Sequence, residues 1–122
     1  MILLYIGSFP YTWGGSMNKP YAYYEHKKLK SFKELLEFNY KKNKDSTAFI
    51  FKNAKRETIN KTYEDFYNDV ITMSNYLSNT YKGKHIALIG ENSYNYLVLF
   101  FSIIISNNIA VLIDKDLDEE SI

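Results

Sequence analysis

The sequence predicts an α/β fold, and three stretches carry that prediction. Residues 84–116, KHIALIGENSYNYLVLFFSIIISNNIAVLIDKD, pass from a short apolar strand through a sharp turn into an apolar helix and then into a second strand, which is a β-α-β unit. Residues 47–61 read as a β-hairpin, and residues 31–43 and 63–81 carry apolar side chains at helical spacing. At 122 residues the chain is at most one domain, and a fragment of a larger domain fits that length equally well.

Composition narrows the function classes before any motif is considered. Hydrophobic residues make up 46% and charged residues 24%, an ordinary globular balance that argues against extensive disorder. A net charge of +1 gives no bulk attraction to nucleic acid or to anionic lipid. With no cysteine there is no disulfide framework, thiolate metal site or cysteine nucleophile, which is compatible with a cytoplasmic protein. Twelve Tyr, twelve Asn and fourteen Lys against a single Arg match the codon bias of an AT-rich genome, so richness in those residues is not read as function.

Residues 1–16, MILLYIGSFPYTWGGS, have no helical or strand period and read as an irregular or appended segment. MILLYI lacks the basic region and the length of a secretory signal, so export is not expected. Met17 precedes the first ordinary stretch and is the expected translation start, with residues 17–122 forming the domain.

Each later element has a local cause. Ser31 and Glu34 form an S-x-x-E capping box, and Phe32, Leu35, Leu36 and Tyr40 place one apolar face on the helix that follows. Lys27, Lys28, Lys30, Lys33, Lys41, Lys42 and Lys44 crowd this region, but Glu34 and Glu37 interrupt the charge, so a solvated face is favoured over a membrane or nucleic-acid surface. TAFIFK, the NAKR turn and ETINK make the hairpin. Thr62 caps a helix with Asp65 three residues on, and Tyr63, Phe66, Tyr67, Val70, Met73, Leu77 and Tyr81 share one side of it, as packing residues rather than a stacking platform.

Lys82-Gly83-Lys84 ends that helix, with the glycine expected as its cap. HIALI at 85–89 is apolar on both sides, as a strand covered by helices on both faces would be. Gly90 permits the turn, Asn92 or Ser93 caps the next helix, and Tyr94 to about Ser106 is apolar nearly all round. Phe100 and Ile104 lie four apart and are expected to face the sheet together. Asn107 and Asn108 interrupt the apolar run well short of the roughly 20 residues a membrane span needs. Ile109 to Ile113 supplies the next strand, expected to be buried, and Asp114 to Glu120 an acidic turn with Asp118 placed to start another helix.

No catalytic, cofactor-binding or metal-binding residue is assigned from these motifs. Gly83-Lys84 and Gly90 are phosphate-loop candidates only in isolation, since neither lies in a G-x-x-x-x-G-K-[ST] or G-x-G-x-x-G frame. His26 and His85 have no partner at ligand spacing, and His85 at the head of a strand fits a hydrogen-bonded structural histidine better than a base. Asp114, Asp116 and Asp118 alternate like the start of a calcium loop but lack its glycine and closing glutamate, which leaves a solvated turn.

In order and spacing, YAYYEHKKLKSFKELLEFNYKKNKDSTAFIFKN, KTYEDFYNDV and GKHIALIGENSYNYLVLFFSIIISNNIAVLIDKDLDEESI resemble the N-terminal portion of the AMP-forming acyl- and aryl-CoA synthetases. This is the adenylate-forming superfamily, and the likeness is strongest to its long-chain fatty-acid CoA ligase branch, over residues 21–122. The features that carry it are the Thr62-Tyr63 helix start after a hairpin, the strand-to-helix step IGENSYNY, and AVLIDKDL leading into an acidic helix start. The resemblance implies a partial N-terminal subdomain of an AMP-binding domain, containing the hairpin and the β-α-β unit.

Such enzymes activate a carboxylate with ATP and magnesium to an acyl-adenylate, then pass the acyl group to a thiol, commonly coenzyme A. Their Ser/Thr/Gly-rich phosphate loop, aromatic-Thr-Glu segment, ribose-binding aspartate and C-terminal lysine have no counterpart here. The chain is therefore expected to be a truncated or split ligase portion, inactive alone, binding none of these cofactors, with the missing C-terminal remainder as its partner. The competing expectations are a small non-catalytic α/β interaction module complementing a separately encoded remainder, and a membrane-associated protein using residues 94–113 and the lysine-rich helix.

Overall fold

The computed structural model of the chain describes residues 28–117. Seven elements follow in order: α1 (Phe32–Asn43), β1 (Thr47–Lys52), β2 (Thr58–Thr62), α2 (Tyr63–Thr80), β3 (His85–Ile89), α3 (Tyr94–Ile105) and β4 (Ile109–Ile113). β1 and β2 form an antiparallel pair, and β3 and β4 a separate parallel pair joined through α3. The α/β class and the positions of all seven elements agree with the sequence reading. The segment 1–16, the start at Met17, His26 and the helix start at Asp118 lie outside the described residues.

Helix starts follow side-chain chemistry. The Thr62 hydroxyl accepts from the Asp65 N–H at 3.0 Å and the Asp65 carboxylate accepts from the Thr62 N–H at 2.9 Å, a complete capping box. The Thr62 N–H, then its hydroxyl, hold the Asp65 carboxyl below its ordinary range. At α1 the box is displaced: Ser31 Oγ accepts from the Glu34 N–H at 3.1 Å, but Glu34 Oε2 accepts from the Lys30 N–H at 2.8 Å rather than from Ser31. Ser93 caps α3 by accepting from the Tyr96 N–H at 3.2 Å.

The hairpin turn is organised by Asn53, whose Oδ1 accepts from the Lys55 and Glu57 N–H groups at 2.9 and 3.0 Å, with Arg56 at φ 62°. Alternation along β1 then turns Phe49 and Phe51 toward the helices and leaves Ile50 exposed.

Two apolar clusters hold the layers together. Leu36, Phe66, Val70, Tyr94, Val98 and Phe101 join α1, α2 and α3. Aromatic contacts extend this cluster to the hairpin, with Phe49 and Phe66 centroids 4.9 Å apart and Phe51 stacked on Tyr94 at 5.4 Å. Leu77, Leu88 and Ile103 form the second cluster, which seats the β3–β4 sheet on α2 and α3. Between α2 and α3, Ser102 is fully buried, and its hydroxyl shares its proton between the carbonyls of Val98 at 2.6 Å and Val70 at 3.1 Å. The tyrosines of α1 and α2 serve packing where they are covered, as where Tyr40 stacks on Tyr67 at 4.3 Å.

Three expectations are corrected. Gly83 does not cap α2: the helix ends at Tyr81 in extended backbone, whose N–H donates to the Leu77 carbonyl at 2.7 Å, and Gly83, at φ 60°, makes the following turn into β3. β3 is not covered on both sides, and β4 is not buried. Ile86, Leu88 and Ala110 face the helices, whereas His85, Ala87, Ile89, Ile109 and Val111 are exposed on the opposite face, because both strands are apolar at every register position except His85 but only one helical layer is present among the described residues. Finally, Ile103 rather than Ile104 is the anchor on the sheet, at 1% exposure, while Phe100 is half-buried across both clusters. From α3, residues 96, 99, 100 and 103 pack into the second cluster, so Phe100 reaches it as expected whereas Ile104 does not.

Candidate functional site

Two places combine polar chemistry with access. The first lies where β2, α2 and α3 meet. Lys61 at the end of β2 and Asp69, two turns into α2, form an ion pair at 3.0 Å, and the Tyr94 hydroxyl donates to the same Asp69 Oδ2 at 2.6 Å. The Lys61 ammonium also lies over the Tyr94 ring, 5.2 Å from its centroid. Tyr94 is the first residue of α3 and is 7% exposed, whereas the Lys61 and Asp69 side chains are 30% and 41% exposed. An ion pair that open to water contributes little by itself. The buried phenol makes it a network.

Burial pushes the Tyr94 phenol well above its ordinary value of 10.0, and the hydrogen bond to Asp69 followed by the negative charges of Asp69 and Asp65 push it the same way. Tyr94 is consequently a neutral donor at physiological pH and neither a base nor a nucleophile. Beside it a groove of about 540 Å³ is lined by Asp69, Thr72, Met73, Tyr76, Tyr94, Asn95 and Val98. Its polar end is electrically balanced by Lys61, so it carries no excess charge to select an ionic ligand.

The second place is the carboxyl end of the parallel pair, where open α/β sheets bind ligands. Gly90, at φ 157°, turns the chain into the Ser93 cap of α3. Glu91 in that turn pairs with Lys115 in the turn after β4 at 3.2 Å, and Lys115 also meets Asp116 at 3.5 Å. The bond and charge of Glu91 raise the Lys115 pKa, so its ammonium stays charged. Asp114 closes its own turn, its Oδ1 accepting from the Asp116 N–H at 3.0 Å. Asp114, Lys115 and Asp116 are exposed in this turn, and among the described residues no group of three His, Asp or Glu side chains is arranged to hold a metal ion.

The remaining sequence candidates stay apart. Gly83 and Lys84 sit at the amino end of β3, opposite the edge occupied by Gly90. His85 is exposed on the outer sheet face, and among the described residues its side chain has no hydrogen bond, which corrects the expectation of a structural, hydrogen-bonded histidine. The Lys61–Asp69–Tyr94 network was not visible in the sequence as a site. One signal was available: Asp69 is a carboxylate beside the buried stripe of Phe66 and Val70, a position that calls for a partner.

No helix among the described residues is long and apolar enough to cross a membrane. No protein-family model matches the chain, and no curated protein matches it.

Proposed function

We propose that this chain is the N-terminal portion of an AMP-forming acid–thiol ligase of the acyl-CoA synthetase kind, without activity by itself. The observation that supports this reading is the order of elements: a capped helix, a hairpin running directly into the Thr62-capped α2, and the parallel β3-α3-β4 unit. Two of the features that carry the sequence resemblance fall on these elements, the Thr62-Tyr63 helix start after the hairpin and the strand-to-helix step IGENSYNY; the third, AVLIDKDL leading into an acidic helix start, is described only as far as Leu117. Adenylation stabilises a transferring phosphoryl group with preorganised donors and a metal. The 122 residues contain no glycine-rich loop followed by lysine and no aromatic-Thr-Glu segment to supply them. ATP, magnesium and coenzyme A therefore belong to the complete enzyme, and this portion contributes scaffold.

The exposed outer face of β3 and β4 favours one variant, a non-catalytic α/β module that complements a separately encoded remainder. The test is a pyrophosphate-release assay on the purified chain with ATP, magnesium, coenzyme A and a panel of fatty and aromatic acids. The chain alone gives background, and addition of the product of the adjoining reading frame restores turnover. Turnover by the isolated chain that is lost on mutation within residues 83–93 overturns the reading.

A further inference from the structure

The outer face of the β3–β4 sheet has an apolar centre and oppositely charged ends. Ile89, Ile109 and Val111 are 55%, 50% and 38% exposed there, with Ala87 between them. Because the strands are parallel and in register, His85 beside Ile109 and Ile89 beside Ile113, their ends coincide. At the amino end lie exposed Lys82 and Lys84, together with His85. At the carboxyl end lie exposed Glu91, Asp114 and Asp116 around Lys115. The two ends therefore carry opposite net charges.

From this polarity we infer that the face is the isologous interface of a homodimer, taking a second copy of this chain. A two-fold axis midway between the two sheets, parallel to both and perpendicular to the strands, reverses strand direction across the interface. It sets the lysine end of each copy against the acidic end of the other, and Val111 against the apolar centre. A parallel face-to-face arrangement instead opposes like charges at both ends. Sheets packed this way close about 10 Å apart and bury the β-branched side chains that otherwise remain in water. This inference does not depend on the ligase reading, which concerns the origin of the portion rather than its state in isolation.

Sedimentation equilibrium on the full 122-residue chain tests the proposal. The expected result is a discrete dimer, with Val111→Glu raising the dissociation constant by at least about 100-fold because an unpaired carboxylate is buried at the centre of the face. The circular dichroism spectrum of Val111→Glu should match the parent, since this side chain points away from α2 and α3. Lys82→Glu with Lys84→Glu should also weaken the dimer, and adding Asp114→Lys with Asp116→Lys should restore it, a rescue that a purely apolar association does not produce. A monomer at the highest soluble concentration overturns the proposal, as does open-ended association or a folded Val111→Glu variant that dimerises unchanged. A monomer that nonetheless binds the product of the adjoining reading frame through this face overturns the homodimer while upholding the ligase reading.

Discussion

The hydroxyl of Tyr94 donates to Asp69 at 2.6 Å across 25 residues of sequence, fastening the first residue of α3 to the second turn of α2. The bond fixes how α3 enters the β-α-β unit. It also explains why a tyrosine rather than a phenylalanine begins a helix that is otherwise almost wholly apolar.

Tyr94→Phe keeps the ring contacts with Phe49, Phe51 and Phe66 but removes the donor. A hydrogen bond to a charged group contributes about 1.5–3 kcal/mol, and the upper part of that range is blunted here because water and Lys61 still serve Asp69. The pH dependence has a definite sign. Because the folded pKa is raised above the ordinary 10.0, the contribution of Tyr94 is fully present below pH 10 and is lost as pH rises beyond it. Urea unfolding from pH 8 to 11 should therefore show the gap between parent and Tyr94→Phe narrowing in the alkaline range. A gap that is flat or widens there would refute the assignment.

Asn108 is the second polar fastening. It is 6% exposed and its Oδ1 accepts from the Lys84 N–H at 2.8 Å, while its Nδ2 donates to Ser106 Oγ at 2.9 Å and to the Tyr81 carbonyl at 3.3 Å. One side chain thus ties the end of α3 to the exit of α2 and the start of β3. Asn108→Asp retains the acceptor for Lys84 but loses both donors and turns a carboxylate toward the Tyr81 carbonyl. It should cost about 2–3 kcal/mol at pH 7 by chemical denaturation, with part of that recovered on acidification as the carboxyl takes up a proton. An unchanged midpoint would mean that the clamp holds nothing.

The two glycine turns with positive φ respond differently. Gly83 lies at φ 60° with nothing within 4 Å of an added Cβ, so Gly83→Ala meets only the backbone cost of the left-handed region, about 1–2 kcal/mol, and Gly83→Asn less. Gly90, at φ 157°, occupies backbone that is essentially restricted to glycine, and Gly90→Ala should cost about 1–3 kcal/mol although its nearest contact, Tyr96 Cδ2, is 3.8 Å away. Thermal melts of both variants check this. Equal, negligible losses would place neither turn under backbone constraint.

What the sequence made legible was local. Capping residues, helical spacing and strand-length apolar runs act within a few residues, and they located every described element. The α2 exit, the open sheet face and the polar network were less accessible for a different reason. HIALI and IAVLI are apolar at successive positions, a pattern compatible with cover on both faces but silent on whether the second layer exists. Lys61, Asp69 and Tyr94 are separated by 8 and 25 residues, so only the packing of β2, α2 and α3 makes them neighbours. The exchange of Ile104 for Ile103 is subtler. In a helix apolar nearly all round, hydrophobicity has no phase, and the rotation is set by which residues meet Leu77 and Leu88.

That rotation yields a direct comparison within α3. Ile103 is 1% exposed between Leu77 and Leu88, whereas Ile104 is only partly buried and belongs to neither apolar cluster. Truncating a fully buried isoleucine removes its transfer energy and leaves a cavity, so Ile103→Ala should cost about 2–5 kcal/mol. Ile104→Ala should cost about 1 kcal/mol, in the range of partly exposed positions. Phe100→Ala falls between them: the ring is half-buried and loses edge contacts to Phe32 at 5.7 Å and Phe101 at 6.0 Å, but solvent fills part of the space it leaves. The three variants measured side by side by urea unfolding decide the helix phase. If Ile104→Ala proved as costly as Ile103→Ala, α3 would have to be rotated by about 100° relative to the sheet, since that is the angle between adjacent residues of a 3.6-residue helix.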